Sequence, residues 1–592
     1  MEVKRTYNKG CEKKAGKKVK INGWVQENRN LGGLRFILLK DKSGEVQVTI
    51  VKGEVSEEIK EATSGLTRES YVEVVGELKA NDKAPMKVEL IPEIFTVLNK
   101  ADSPTPIDTS GKIVSDLSKR LDWRFLDLRN KKALALFKVR GQIFKACVEF
   151  FEKNGFQNIQ TPKITSAGAE SGSELFPVVY FDQEAFLSQS PQLYKQMMVC
   201  AGFEKVYEIA PVFRAEKSNT PRHQTEFTGI DFEMGPIKHT SDIMDTIEEL
   251  FKHMFTHLNE NCKDELALWD IKLEVPKKIP RLTMSEAKEL LKEKGKSLPE
   301  EEDFDPEAEK MMGEIVREKF KSEFVFVTNY PVAKRPFYHK YAPDGKTTDA
   351  FDMLFRGTEI CTGGQREHQY GVLKKQAEEK KIDFDQMGWY AEMFKYGAPP
   401  HGGVGFGLDR ITMMLFKLEN VREAVLLPRD PIRLTPWRSN LYFFISFLFM
   451  SEFKLVDIGS LPREQQEEAI VRIWKIYYKA VQDQTLFDEF KKKTLSDGVK
   501  CVVKGEKLFG VVSYKLSSKE LFVQEIWALP SREFLREHKM TIGRFLNAFM
   551  TSVAIKKGVS FRRTGGVGAG VRFRKRLEGK LPQKPHLPQR RK

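Results

Sequence analysis

Four stretches of this sequence gather cations, carboxylates and hydroxyls that could handle anionic groups. Ser188 to Gln196 (SQSPQLYKQ) carries Gln192 and Lys195, and Val206 to Met234 (VYEIAPVFRAEKSNTPRHQTEFTGIDFEM) carries Arg214, Glu216, Arg222, His223, Phe227 and Asp231. Phe351 to Tyr370 (FDMLFRGTEICTGGQREHQY) adds Glu359, Thr362 and Arg366, and Gly402 to Arg410 (GGVGFGLDR) is a glycine-rich run ending in arginine. Arginine is a planar two-pronged donor suited to carboxylate and phosphate. A glutamate near a hydroxyl offers the hard oxygens that Mg²⁺ takes. Other patterns lead nowhere. His253 and His257 stand four apart, a metal-compatible helical spacing, but no third ligand is near and a solvated helix face is the expectation. Six cysteines are scattered without a CxxC pair, which argues against a zinc site or a disulfide framework and fits a reducing cytoplasm.

These residues need a large frame to bring them together. At 592 residues the chain exceeds one core, and several domains are expected. Residues 18–99 alternate in strand fashion. Val19 to Val25, Phe36 to Leu39, Val46 to Ile50, Tyr71 to Val75 and Val88 to Leu90 make five short strands, which suggests a small barrel of the oligonucleotide-binding kind over 1–100. A hinge containing Ser103-Pro104-Thr105-Pro106 occupies 101–132. From Ala133 to Asn154 the apolar residues Val139, Ile143, Cys147, Phe150 and Phe151 recur at helical spacing, and Asn154-Gly155 marks a stop. Strand and helix signals then alternate to residue 437 in an α+β pattern, with Leu426 to Pro431 reading as a buried strand meeting a turn. The N-terminus lacks the apolar core of a signal peptide. The longest apolar run, Leu441 to Met450, is about half the ~20 residues a membrane span needs, so no membrane role is expected.

Three ordered segments resemble motifs 1, 2 and 3 of the class II aminoacyl-tRNA synthetases: Phe137 to Ile164 (FKVRGQIFKACVEFFEKNGFQNIQTPKI, with Pro162 taken to lie on a strand), Val206 to Met234, and Gly402 to Arg410. The connecting stretches SQSPQLYKQ and FRGTEICTGGQR are similar to the aspartyl-tRNA synthetases of the archaeal and eukaryotic branch, over about residues 15–437. The resemblance implies an antiparallel catalytic sheet flanked by helices over 133–437. It also implies a homodimer built on the motif 1 helix and Pro162.

It further implies a reaction in which ATP activates L-aspartate, which is then esterified to the 3′ end of tRNA-Asp. Asparagine-tRNA ligases and RNA-binding paralogues are the alternatives. The attacking carboxylate is already an anion, so no general base is needed; the protein must hold two repelling anions in line. By resemblance, Arg214 bridges the α-phosphate and the substrate carboxylate, Glu216 accepts from the adenine amino group and Phe227 stacks on the ring. Arg222 and His223 reach the outer phosphates, and Gly407 and Arg410 complete the ATP site. Glu359 and Thr362, the latter where the pattern usually has serine, hold Mg²⁺. Lys195 and Arg366 face the substrate's side-chain carboxylate, so that neutral asparagine would leave positive charge unmatched. Glu170 and Asp231 face its ammonium; Gln192, Arg214 and Thr362 belong to the same pocket.

In the barrel, the resemblance points to anticodon reading by Phe36 and Gln47, with Arg29 and Glu89 beside them, because exposed aromatics stack splayed bases. Asn30 replaces the aspartate of the usual RDLGG run. Neither Gln26 nor Pro85 is the residue associated with strict tRNA-Asp use, so charging of tRNA-Asn as well is an open expectation.

The resemblance ends near Pro436. After an apolar linker (438–449), residues 450–592 are expected to form a basic α/β extension whose first residues resemble the start of another protein, as in a fusion. Residues 438–592 hold 31 Lys+Arg against 15 Asp+Glu, a net +16 that exceeds the whole chain's +15, as expected of a polyanion-binding segment. Helices are expected at 464–482 and 542–556, and strands at Val499–Val503, Leu508–Tyr514 and Leu521–Trp527. This order, with HKMTIGRFL opening the last helix, is faintly similar to the N-acetyltransferase (GNAT) fold. His538 and Thr541 depart from that family's phosphate loop, and Gly565 to Gly570 reads as a flexible basic loop. An RNA-binding appendage and an acetyltransferase are the two readings.

Overall fold

The computed structural model describes residues 3–166, 175–181, 183–215, 220–384 and 387–436, with side chains left out at 183–184. Beyond these it describes the strand backbones of 454–457, 500–504, 507–516, 520–528 and 560–563. The chain divides into two compact units, Met1–Trp437 and Arg438–Lys592.

Alternation builds the first part. Strands β1 (Lys18–Asn30), β2 (Leu34–Lys40), β3 (Glu45–Val51), β4 (Tyr71–Ala80) and β5 (Val88–Asn99) close into a barrel in the order β1-β2-β3-β5-β4. Val19, Ile21, Ile37, Leu39, Val46, Val48, Val72, Val74 and Leu90 fill its interior. Closure bends β4 at Gly76, where a Cβ would stand 2.0 Å from the Ile91 carbonyl oxygen; no other residue fits that approach.

The expected helix runs from Lys131 to Lys153. The Asn130 side chain accepts from the amides of Lys132 and Ala133, and Gly155 (φ 76°) follows its end. Its buried stripe, including Val139, Ile143, Cys147 and Phe151, packs with Phe251 and Phe255 of the helix Thr240–Asn261 in the main core. His257 lies in this contact, buried, 2.8 Å from Gln142 Oε1 and 3.2 Å from Glu149 Oε2, so the expected solvated face is instead a helix–helix seam.

The strands of this region are β6 (Gln157–Asn158), β7 (Ile164–Thr165), β8 (Pro177–Tyr180), β9 (Gln183–Leu187), β10 (Lys205–Phe213), β11 (Glu226–Met234), β12 (Arg281–Thr283), β13 (Phe324–Thr328), β14 (Ala350–Phe355), β15 (Thr358–Gln365) and β16 (Gly402–Gly407). Eight form one sheet, β12-β13-β14-β15-β16-β11-β10-β6, antiparallel except for the parallel outer pairs β12/β13 and β6/β10. Strands β7, β9 and β8 form a separate small sheet. Pro162 falls between β6 and β7, not on a strand. Leu426 and Leu427 are about half exposed and lie outside any strand, just after the short helix Val421–Ala424.

In the second unit β17 (Lys454–Asp457), β18 (Lys500–Lys504), β19 (Lys507–Leu516), β20 (Glu520–Ala528) and β21 (Ser560–Arg563) form a five-stranded sheet in sequence order, parallel only at β20/β21. The three expected strands are β18, β19 and β20; β17 and β21 had no clear alternation to announce them. The linker 438–449, the expected helices 464–482 and 542–556, and Gly565 to Gly570 lie outside the described residues.

Candidate active site

The large sheet has two faces of opposite character. On β11, Ile230 and Phe232 enter the core, so Gly229, Asp231 and Glu233 take the other face; on β16, Val404 and Phe406 enter the core and Gly403, Gly405 and Gly407 take that same face. Register sets Gly229 opposite Gly407, Asp231 opposite Gly405 and Glu233 opposite Gly403. The glycines make room for acids. A Cβ at Gly405 would lie 2.9 Å from Asp231 Oδ1, and one at Gly403 would lie 2.2 Å from Glu233 Oε2. The GGVGFG run thus gives buried carboxylates a floor.

Those carboxylates collect the two expected cations. Lys195, on the helix Gln192–Met198, donates from Nζ to Asp231 Oδ1 (3.0 Å), the Val404 carbonyl (3.0 Å) and the Phe232 carbonyl (3.4 Å), and stands 3.4 Å from Glu233 Oε2. Arg366 forks onto Glu233, Nε to Oε1 at 2.9 Å and Nη2 to Oε2 at 3.3 Å. It also donates from Nη2 to Gln192 Oε1 (3.1 Å) and from Nη1 to His339 Nε2 (2.7 Å). Burial pushes the Asp231 carboxyl up in spite of Lys195. Burial acts on Glu233 in the same sense, yet Arg366 and Lys195 hold it below the usual range. The expectation of two unmatched cations is therefore amended: Glu233 neutralises one. Glu233 stands two residues beyond Asp231, and strand alternation is the signal that could have found it.

A cavity of about 390 Å³ opens over this floor. It is lined by Gln192, Arg214, Arg222, His223, Phe227, Asp231, Glu359, Thr362, Arg366, Gly407 and Arg410, which the sequence had singled out in separate segments. Glu170 and Glu216 lie outside the described residues. The Arg214 guanidinium sits 5.3 Å from the centre of the Phe227 ring. Arg222 donates to Glu309 Oε2 at 2.8 Å, and His223 Nδ1 is 2.5 Å from Thr220 Oγ1. Arg410 donates to the Glu359 carbonyl (3.1 Å) and stands 3.5 Å from its carboxylate. Its neighbour Asp409 ties the helix Lys131–Lys153 to this corner, accepting from Arg140 at 2.7 Å and from the Thr228 amide at 3.1 Å.

Opposite Arg410 the cavity is acidic. Thr362 Oγ1 lies 3.3 Å from Glu359 Oε1, and Asp352 is the strand partner of Thr362. Burial, then the charge of Asp352, push the Glu359 carboxyl up to about 7, against the pull of Arg410 and Arg335. Oxygen donors in mutual repulsion fit a hard divalent cation. Asp352, also paired with Arg335 at 2.6 Å, was missed in the sequence although it lies in the same quoted run. His339, Arg335 and Glu309 belong to stretches with no motif to point to them.

On the barrel, Arg29, Phe36, Gln47 and Glu89 lie together. Register pairs Arg29 with Phe36, Phe36 with Thr49 and Gln47 with Glu89. Phe36 is half-buried on the outer face, out of the apolar interior, and Gln47 Nε2 donates to Glu89 Oε2 at 3.3 Å.

Known proteins are similar to this chain over most of its length. The family model described as tRNA synthetases class II (D, K and N) matches residues 116–431, and that of the OB-fold nucleic acid binding domain matches 19–98. The aspartate–tRNA(Asp) ligase of Pyrococcus furiosus is 44% identical over 431 residues, 72% of this chain and 98% of that protein. The aspartate–tRNA(Asp/Asn) ligase of Methanopyrus kandleri is 46% identical over 422 residues, 71% of this chain and 96% of its own. Among solved structures, the asparaginyl-tRNA synthetase of Pyrococcus horikoshii complexed with asparaginyl-adenylate aligns with a TM-score of 0.69 at 32% identity, covering 74% of this chain and 100% of that one. The aspartyl tRNA synthetase of Entamoeba histolytica aligns at 0.66 and 32%, covering 73% and 92%.

Proposed function

Because the chain belongs to the class II tRNA synthetases of the D, K and N group, we infer that it is an ATP-dependent aspartate–tRNA ligase. It activates L-aspartate as the adenylate and passes it to the 3′ end of tRNA. Amino-acid choice rests on one observation: Lys195 and Arg366 meet on a single buried floor, beside Asp231 and Glu233. With Asp231 engaged by the substrate ammonium, the other three leave one positive charge for a side-chain carboxylate, and asparagine leaves it unmatched. ATP–pyrophosphate exchange with each amino acid side by side tests this. Aspartate-dependent exchange is expected, and exchange driven by asparagine alone overturns it.

The chemistry follows from charge. The aspartate α-carboxylate attacks the α-phosphate and pyrophosphate leaves; Arg214, at the cavity edge between the two, offsets their repulsion and holds them in line. Arg222, His223 and Arg410 take the outer phosphates, with Phe227 stacking on the adenine. Arg222 exchanges Glu309 for phosphate as ATP enters. Glu359 and Thr362, with Asp352 adjoining, would hold Mg²⁺, which neutralises phosphate charge when bound. In the second step the tRNA 3′-terminal hydroxyl attacks the aspartyl carbonyl and AMP departs.

The outer row Arg29, Phe36, Gln47 and Glu89 is the proposed anticodon surface, Phe36 offering the stacking ring. Relatives named for tRNA(Asp) and for tRNA(Asp/Asn) both occur at similar identity, so the chain is tested on both purified tRNAs; product on tRNA-Asn marks the relaxed kind. The enzyme is proposed as a cytoplasmic homodimer joined through the motif 1 helix and Pro162. Exposed Phe144 and Ile164 support that surface, and sedimentation at two monomer masses tests it. Residues 551–592, at net +12, are proposed to contact RNA; a salt-dependent tRNA affinity would support this reading and acetyl-CoA binding would oppose it. Among the described residues no helix is long and apolar enough to cross a membrane.

A further inference from the structure

We propose that His339 is a positioning residue for aspartate selection: as an uncharged acceptor it fixes one end of the Arg366 guanidinium without cancelling the charge that selects a substrate carboxylate. The proposal rests on the aspartate–tRNA ligase reading above.

Arg366 is 2% exposed, so each of its donors needs a partner inside the protein. The Glu233 fork takes the edge formed by Nε and Nη2 and fixes the guanidinium plane. Nη1 lies off that fork, and His339 Nε2 receives it at 2.7 Å. His339 is itself well anchored. Its backbone pairs with Arg366, its amide donates to Pro336, and its carbonyl accepts from Gln376 Nε2 at 2.8 Å.

The kind of acceptor decides the outcome. A carboxylate at this position would add a second anion to Arg366 and leave nothing net positive for the substrate. An apolar side chain would strand a buried N–H. A neutral imidazole accepts from Nη1 without adding charge, at the cost of a buried Nδ1–H that has no partner among the described residues, and Gln192 meets Nη2 on the same principle. Burial and the surrounding cations Arg366, Arg335 and Lys195 push the imidazole well below its ordinary pKa, which keeps Nε2 an acceptor at neutral pH. The same hydrogen bond places the ring proton on Nδ1.

The test is steady-state ATP–pyrophosphate exchange by the full chain carrying His339→Leu or His339→Gln. His339→Leu is expected to raise the aspartate KM at least tenfold, to leave the ATP KM within twofold, and to narrow discrimination against asparagine. His339→Gln, whose amide oxygen can accept from Nη1, is expected to restore most of the loss. If leucine prevents folding, His339→Asn, polar but shorter than glutamine, carries the same selective rise. An unchanged aspartate KM in the leucine and asparagine variants, or equal rises for aspartate and ATP, overturns the proposal. Absence of aspartate-dependent exchange in the unmodified chain refutes the parent reading instead.

Discussion

Thr362 Oγ1 lies 3.3 Å from Glu359 Oε1 although the two residues are three apart on one strand, a spacing that should put them on opposite faces. The cause is a bulge. Leu354 pairs with Glu359 and Met353 with Cys361, so Ile360 is an extra residue on β15 that reverses the alternation between them. The bulge re-aims Glu359 into the cavity beside Thr362 and Asp352.

This makes Glu359 a charge the protein tolerates for its function. Glu359→Gln is expected to lower pyrophosphate exchange at least a hundredfold while leaving the thermal midpoint of the metal-free protein equal or higher, since it relieves repulsion from Asp352. Mg²⁺ should raise the midpoint of the unmodified chain and not that of the variant. Differential scanning fluorimetry across a Mg²⁺ series reads both. A variant midpoint well below that of the unmodified protein would show the carboxylate to be structural.

Arg366 and Glu233 are coupled, so a single substitution confounds selectivity with folding. Arg366→Gln leaves the fully buried Glu233 without its fork and is expected to cost about 3–5 kcal/mol. Adding Glu233→Gln removes the stranded charge and should recover most of that stability, because two amides can pair in the same space. Aspartate activation should stay absent in both. Denaturant melts beside exchange assays separate the effects; recovered activity in the double variant would remove Arg366 from substrate selection.

Much of this site could be read in the sequence, and the misses share a cause. Arg214, Glu359, Arg366 and Arg410 sit in runs whose residue order is itself distinctive, and the helix Lys131–Lys153 announces itself through its stripe and caps. Glu233 was hidden because its role depends on partners from the segments of Lys195 and Arg366, distant in sequence. His339 lies in a loop without periodicity, and only the pairing of residue 339 with residue 366 brings it to the cavity. His257 misled for the opposite reason, since a polar residue on an amphipathic helix reads as solvent-facing until a second helix supplies Gln142 and Glu149. The Ile360 bulge is invisible to alternation because it consists of a departure from it.

The buried neutral histidines set a pH dependence. Burial pushes His401 below its usual pKa, as it does His339, and the neutral His401 ring donates from Nδ1 to the Pro399 carbonyl at 2.8 Å. In the unfolded chain both titrate near the ordinary value of about 6.5. Below it the unfolded state binds more protons than the folded one, so stability falls with falling pH, by up to about 1.4 kcal/mol per pH unit for each histidine until its folded pKa is reached. Their contribution is fully present above about pH 6.5. Chemical denaturation at pH 7.5, 6.5 and 5.5 should therefore show a steeper loss in the unmodified chain than in His339→Gln. Parallel slopes would mean that His339 is protonated in the folded protein.

Phe36 separates the two halves of the reaction. Its ring is half-buried on the outer face of the barrel between Arg29 and Thr49, while Ile37 and Leu39 carry the interior. Phe36→Ala should leave the barrel folded and leave pyrophosphate exchange unchanged, because adenylate formation needs no tRNA. Loss of one stacked base is worth about 1–3 kcal/mol, so the tRNA KM in aminoacylation should rise roughly 5- to 150-fold. Gln47→Ala should act in the same direction by less, since its amide already bonds Glu89 and Thr49 within the barrel. Steady-state charging over a tRNA concentration series, set against exchange rates on the same preparations, reads the difference. If Phe36→Ala slows exchange and charging alike, the ring serves the fold; if it slows neither, the base is read elsewhere on the barrel.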